Sequence, residues 1–191
     1  MPKTDPAREA LLTALEASGV SIPLWDGILI EETVRVAPGA TILPGCILRG
    51  NTTIAAGSVI GPGSVLTDAV IGKNCIVKNT YITESTLEEN VSIGPFSQVR
   101  PGCHIAAGCK IGDFVEVKNS HIGQKTAIAH LTYVGDTDCG SGVNFGCGVA
   151  IANFNGKEKF RTTIGDGAFL GCNTNLVAPV TIGAGPYTAA G

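Results

Sequence analysis

Aliphatic residues recur at every sixth position along most of the chain, each usually followed by glycine or alanine, two residues of turn chemistry, a small residue and a variable one. Ile54-Ala-Ala-Gly-Ser-Val runs straight into Ile60-Gly-Pro-Gly-Ser-Val, and the same unit restarts at Val36, Ile42, Ile93, Ile105, Ile111, Ile122, Ile164, Leu170, Leu176 and Ile182. A period of six is neither the helical 3.6 nor the simple alternation of a half-buried strand. It predicts a solenoid. Each unit is a short strand with its aliphatic residue inward, followed by a corner made by Gly, Pro, Asn or Asp. Stacked coils bury a narrow core that accepts only aliphatic and small side chains. Two stretches break the period. Residues 5–19 read as a short helix: Asp5 caps it, Pro6 suits the first turn, Gly19 ends it, and Leu11, Leu12 and Leu15 form its buried stripe. Ala152 to Arg161, ANFNGKEKFR, reads as a polar loop inserted among the repeats. The expected division is a helical segment over 1–20 and an all-β solenoid over 21–191.

Composition agrees with such a core. Aromatics are only 5% while hydrophobic residues reach 44%, so aliphatics carry the apolar content, and a mean hydropathy of +0.28 argues against disorder. The 26 glycines follow the corners and show no three-residue period, which excludes collagen. No uninterrupted run of about eighteen apolar residues offers a membrane span. The opening MPKTDPAREALL has no apolar signal segment, which points to the cytosol. A net charge of −3 provides no general field for nucleic acid or acidic lipid. Of the seven cysteines, none is spaced C-x-x-C, and Cys46, Cys75, Cys103 and Cys109 occupy the small-residue slot, where they read as apolar filler. No protein ligand set for a metal is visible.

From Ile93 the pattern narrows to specific strings: IGPFSQVRPG, IGDFVEVKNSHIG, AHLTYVGD and NFGCGVAIANFNGKEKFRTTIGDGAFLGCNTNLVAPVTIG. They resemble the C-terminal acetyltransferase domain of the bifunctional N-acetylglucosamine-1-phosphate uridyltransferase/glucosamine-1-phosphate acetyltransferase family. The resemblance is fair from Ile28 to Glu89 and close from Ile93 to Gly191. Hexapeptide repeats of this type resemble the left-handed parallel β-helix, with three units to a triangular coil; the handedness comes from that resemblance alone, because general crossover sterics favour the right hand. The resemblance implies transfer of acetyl from acetyl-CoA to the amine of glucosamine 1-phosphate, in a homotrimer whose sites lie between subunits. Residues 1–30 carry nothing like the family's Gly- and Arg-rich triphosphate loop, so acetyl transfer without uridylyl transfer is expected, with a separate uridyltransferase as a possible partner.

The implied roles are specific. His130 matches the general base, since imidazole titrates near neutral pH, and Glu116 matches a carboxylate near that base. Arg100 and Lys118 match sugar-phosphate ligands. Tyr133 and Asn144 match further acceptor contacts, and Lys159 matches a loop residue that reaches the phosphate. Cys147, the pair Asn153-Phe154, Cys172 and Ala190 occupy positions lining the acetyl-CoA site, where the family usually has alanine, Asn-Tyr, serine and alanine. Cys172 is a weaker hydrogen-bond partner than serine. The family's late arginine on the CoA phosphates falls after Gly191, and its loss implies CoA binding weaker by about 1.5–3 kcal/mol. Three other readings stand beside this one. They are an acyltransferase for another amine or hydroxyl, a zinc β-helix hydratase using His104, His121 and His130, and a non-catalytic β-helix that has lost CoA binding.

Overall fold

The computed structural model describes residues 5–191; residues 1–4 of the expected N-terminal segment lie outside them. Among the described residues a single helix, α1 (Pro6–Ala17), is followed by strands of two to four residues. These strands form three all-parallel sheets, two of nine strands and one of eight, and each strand pairs with the one three places along the chain. The three sheets are the faces of a left-handed parallel β-helix of about nine turns. We call face 1 the sheet from Leu29–Ile30 to Asn175–Val177, face 2 that from Arg35–Val36 to Val180–Ile182, and face 3 that from Thr41–Ile42 to Phe169–Leu170. The right-handed rule of βαβ crossovers rests on well-twisted strands feeding long connections. Strands this short, turned by single corners, escape it.

The interior is three ladders of aliphatics. Face 1 stacks Leu48, Leu66, Ile82, Val99, Val117 and Val134 in direct register. Face 2 contributes Ile54, Ile71, Leu87, Ile105 and Ile122, and face 3 contributes Ile42, Ile60, Val77, Ile93, Ile111 and Ile128. Cys46, Cys75, Cys103 and Cys109 are all buried among them, as the small-residue slot predicts, and burial pushes each thiol above its ordinary pKa. One coil departs from the pattern. Its face 2 position holds Cys139 instead of a branched aliphatic, and its face 3 position holds Phe145, a fully buried aromatic. A small residue and a large one share the same narrow cross-section.

Helix α1 seals the first coil. Asp5 Oδ1 accepts from the N–H groups of Ala7 and Arg8 at 3.1 and 3.3 Å, and Gly19 at φ 99° stops the helix. Leu12 is buried, Leu11 and Leu15 pack beside it, and Arg8 donates to the carbonyls of Ile28 and Trp25.

Corners absorb variation in coil length while the register holds. Leu29 pairs with Ile47 eighteen residues on, Val65 with Tyr81 sixteen on, and Ala150 with Asn175 twenty-five on. The long step is the predicted insertion, which leaves the corner between faces 1 and 2 and returns to it.

Cys139→Ile restores the ladder's usual residue but overfills the coil, so we expect a loss of about 1–3 kcal/mol. Combining it with Phe145→Ile should recover most of that loss. Thermal unfolding of the two variants checks this, and a neutral Cys139→Ile would show that the two side chains do not compete for space.

Candidate active site

Successive side chains of a strand point to opposite sides. On face 1 the outward positions of neighbouring rungs are therefore Gln98 and Arg100, then Glu116 and Lys118, then Tyr133 and Gly135. Four of the residues singled out in the sequence meet on this patch. Arg100 Nη1 lies 2.9 Å from Glu116 Oε1, an ion pair that raises the guanidinium's pKa. Lys118 lies one alternation along from Glu116, at the edge towards face 2.

That edge carries a carboxylate that no motif reading singled out. Asp136 sits at the corner with φ 50° and is buried. Its oxygens accept from Asn119 Nδ2 and Asn153 Nδ2, each at 2.5 Å, and from Lys118 Nζ at 3.5 Å. Burial would raise its pKa, but the two amides and the lysine charge outweigh burial and hold the carboxyl below its usual range.

The inserted loop is clamped at both ends to this corner. Asn153 holds Asp136 at its start. At its end Arg161 forks onto Asp138 through Nε at 2.8 Å and Nη2 at 2.5 Å, and reaches the Asn119 carbonyl at 3.1 Å. Between them Phe154 and Lys159 bridge antiparallel, and Asn155 Oδ1 caps the tip by accepting from Lys157 and Glu158 at 2.8 Å. The clamp brings Lys159 to Lys118, and the side-chain contact with Lys118, together with its charge, lowers the Lys159 pKa. Three cations, Arg100, Lys118 and Lys159, thus share one rim. Tyr133 lies along it with its hydroxyl 3.4 Å from Asn153 Nδ2. Gly135 makes room for it: a Cβ there would stand 2.4 Å from the Tyr133 hydroxyl and 2.8 Å from Asn153 Nδ2.

A second group occupies the other edge of face 1, where it meets face 3. Asp113 pairs in register with His130. The backbone bonds Gly148 N to His130 O, Asn173 N to Cys147 O and Gly191 N to Cys172 O continue that column. Asp113, His130, Cys147, Cys172 and Ala190 therefore stand on consecutive rungs. His130 Nδ1 lies 2.8 Å from Asp113 Oδ1, and the pairing lowers the aspartate's pKa. So the carboxylate against the imidazole is Asp113, whereas Glu116 holds Arg100. Beside His130 a shallow cleft opens over Ser92, Gly94, Lys110, Gly112 and Ala129.

Not every predicted residue joins these two groups. Asn144 lies on face 3, paired with Ala127 and Phe169. His104 and His121 are rung neighbours on face 2, with ring centroids 6.3 Å apart, bonded to Glu88 at 2.8 Å and Asp138 at 3.2 Å. They do not converge with His130. Among the described residues no group of three or more His, Cys, Asp or Glu is placed to hold a metal ion, and no helix is long and apolar enough to cross a membrane.

Asp136 has a depressed pKa, so its contribution to stability is complete above the ordinary carboxylate range and is lost as pH falls through the folded value. We expect Asp136→Ala to cost about 1–3 kcal/mol at neutral pH. The penalty should shrink under acid, where the wild type loses the same bonds; melting curves at neutral and acid pH compare the two, and a pH-independent penalty would contradict the assignment.

Comparison with known proteins follows the same lines. The family described as "Bacterial transferase hexapeptide (six repeats)" matches residues 84–119. Two proteins named "Bifunctional protein GlmU", from Brevibacillus brevis and Acetivibrio thermocellus, are 45% and 46% identical over 184 residues. These matches span 96% of this chain and 40% of either relative. A GlmU from Clostridium kluyveri reaches 56% identity over 108 residues, 56% of this chain and 24% of that protein. The solved Arabidopsis UDP-N-acetylglucosamine acyltransferase aligns over 85% of this chain and 65% of its own at 16% identity, with a TM-score of 0.47. The chain thus carries hexapeptide repeats and is similar over nearly its whole length to proteins named GlmU, of whose own length it spans about 40%.

Proposed function

We propose that this chain is an acetyl-CoA-dependent acetyltransferase of the hexapeptide family and that its acceptor is glucosamine 1-phosphate. The observation that carries the reading is the rim of Arg100, Lys118 and Lys159, three cations held together although two hydrogen-bonded carboxylates already stand among them. A dianionic phosphate fits such a rim, with Arg100 offering a planar fork and the lysines compact charges. Tyr133 and Asn153 supply neutral hydrogen-bonding groups for the sugar beside it.

The Asp113 contact decides which atom of His130 acts. An ionised carboxylate only accepts, so Nδ1 carries the proton and Nε2 keeps its lone pair. In the proposed reaction the acceptor reacts as its neutral amine: its nitrogen attacks the thioester carbonyl and Nε2 takes one proton from that nitrogen. The carbon–sulfur bond then breaks, and the CoA thiolate takes up the proton that the imidazolium releases. Asp113 serves as the positioning residue for that base. The column of Cys147, Cys172 and Ala190 above His130 is the proposed path of the CoA arm; Asn153 and Phe154 sit on the loop at the opposite edge of face 1. These substrates are cytosolic metabolites, which fits a cytosolic protein.

The base and the cationic rim stand at opposite edges of face 1 within one chain, so a site shared between neighbouring subunits is part of the proposal. An exposed stripe supports it. Phe96, Phe114 and Leu131 are 57%, 54% and 63% exposed on successive rungs beside Asp113 and His130, and all three take positive φ. Bulky residues in that conformation are strained, and a solvated corner would be better served by glycine or asparagine. Burial against a second and third copy, in a closed three-fold ring, would compensate for that strain.

The direct test is release of free CoA thiol from acetyl-CoA, with a no-acceptor control for the protein's own cysteines. The proposal expects release that requires glucosamine 1-phosphate, and release equal with any amine would overturn the acceptor assignment. His130→Ala should lower kcat by about a hundred- to ten-thousand-fold; near-normal turnover would remove it from the mechanism. Asp113→Ala should reduce kcat and leave the acceptor KM unchanged. Asp113→Asn, whose amide oxygen still accepts from Nδ1, should retain most of the rate, and equal losses in both variants would contradict the positioning role.

A further inference from the structure

Five of the seven cysteines are buried, and only Cys147 and Cys172 reach the surface. The buried five are sealed in the ladder region, and Cys139 has its pKa pushed up to about 12 by burial. They remain protonated and inert. The other two stand one directly above the other. Asn144 and Phe145 pair with Phe169 and Leu170, and the ladder continues through Gly146 N to Leu170 O at 2.7 Å and Asn173 N to Cys147 O at 2.8 Å. Cys147 therefore occupies the same place in its coil as Cys172 in the next. The turns match as well: each cysteine follows a glycine and precedes a residue of positive φ, Gly148 at 76° and Asn173 at 59°. Equivalent turns send the two side chains off the same corner.

Neighbouring rungs of a parallel sheet are about 4.7–4.9 Å apart. Two cysteines can be bridged when their Cα atoms are about 4.4–6.8 Å apart. The rung spacing falls inside the Cα range, and closing the bond needs the two side chains to tilt towards one another until their Cβ atoms are about 3.5–4.5 Å apart. His130 is the next rung of the same column, so a proton acceptor stands beside Cys147.

We propose that Cys147 and Cys172 form a thiol–disulfide site on the corner above His130, which takes a small-molecule disulfide as its oxidant. One thiolate attacks a sulfur of that disulfide, forming a mixed disulfide and releasing one small thiol. The second thiolate attacks the protein-side sulfur, closes the cross-rung bond and releases the second small thiol. Both cysteine protons leave with the released thiols, and the small disulfide is reduced as the pair is oxidised. The functional consequence rests on the proposed acetyl transfer: the closed bridge fills the path of the CoA arm and stops the reaction until a thiol reopens it.

The test is incubation of the intact protein with oxidised glutathione, followed by peptide mass mapping without reductant. The expected result is a loss of two hydrogens and one linked pair of peptides containing Cys147 and Cys172, reversed by dithiothreitol. Cys172→Ser should instead trap a glutathione adduct on Cys147. Stable glutathione adducts in the wild type with no internal link, or links only between chains, would overturn the site. The covalent readout stands whether or not the protein transfers acetyl groups. Where transfer is measurable, its loss on oxidation and recovery on reduction is expected; a bridged protein with undiminished transfer would overturn the placement of the bridge in the donor path.

Discussion

Register is the constraint on which everything else depends. Each rung must lie on the last so that Leu66 meets Leu48 and Val117 meets Val99. A slip of one residue would turn an entire inward ladder to solvent and bring its polar neighbours inside. The interior is too narrow to repack around such a slip, as the exchange of a large and a small residue at Phe145 and Cys139 illustrates. Length variation is accordingly confined to corners, and the coil of twenty-five residues returns to register as faithfully as the shortest one.

The same constraint, read from outside, builds the chemistry. Alternation on face 1 turns sequence neighbours two apart into one row, and coil length turns residues seventeen or eighteen apart into one column. Arg100, Glu116, Lys118 and Tyr133 become a surface patch on three rungs. The inserted loop would be free to point anywhere without Asp136 and Asp138, which tie its two ends to the corner it leaves. Lys159 reaches Lys118 for that reason. The balance of charge is deliberate in physical terms: Glu116 and Asp136 hold the cations in place, and the excess of positive charge left over is what a phosphate would neutralise.

Much of this was legible in the sequence. The six-residue period predicted the solenoid, the scarcity of aromatics its narrow core, the four slot cysteines their burial, and the polar run 152–161 the loop. What escaped was whatever depends on counting coils of unequal length. Asp113 and His130 are seventeen residues apart, and nothing local marks them as partners. Cys147 and Cys172 are twenty-five apart, with the insertion between them, and become neighbours only once the loop is discounted. Asp136 was in plain view inside AHLTYVGD, but its burial follows from Asn153 and Asn119 folding over it. The resemblance sets Glu116 near the base; within one chain its carboxylate pairs with Arg100, a partner that an eighteen-residue coil brings to it and no local motif marks. Handedness could not be read from crossover sterics, since two- to four-residue strands do not obey a rule made for longer ones.

The central claim is that the rim on face 1 recognises a sugar through its phosphate. Calorimetric titration of the intact protein with glucosamine 1-phosphate and with glucosamine tests it without invoking the donor or the chemistry. The account predicts binding of the phosphosugar that weakens with added salt and with Lys118→Ala, and no measurable binding of glucosamine. Equal binding of both sugars, or phosphosugar binding indifferent to salt and to Lys118, would contradict it.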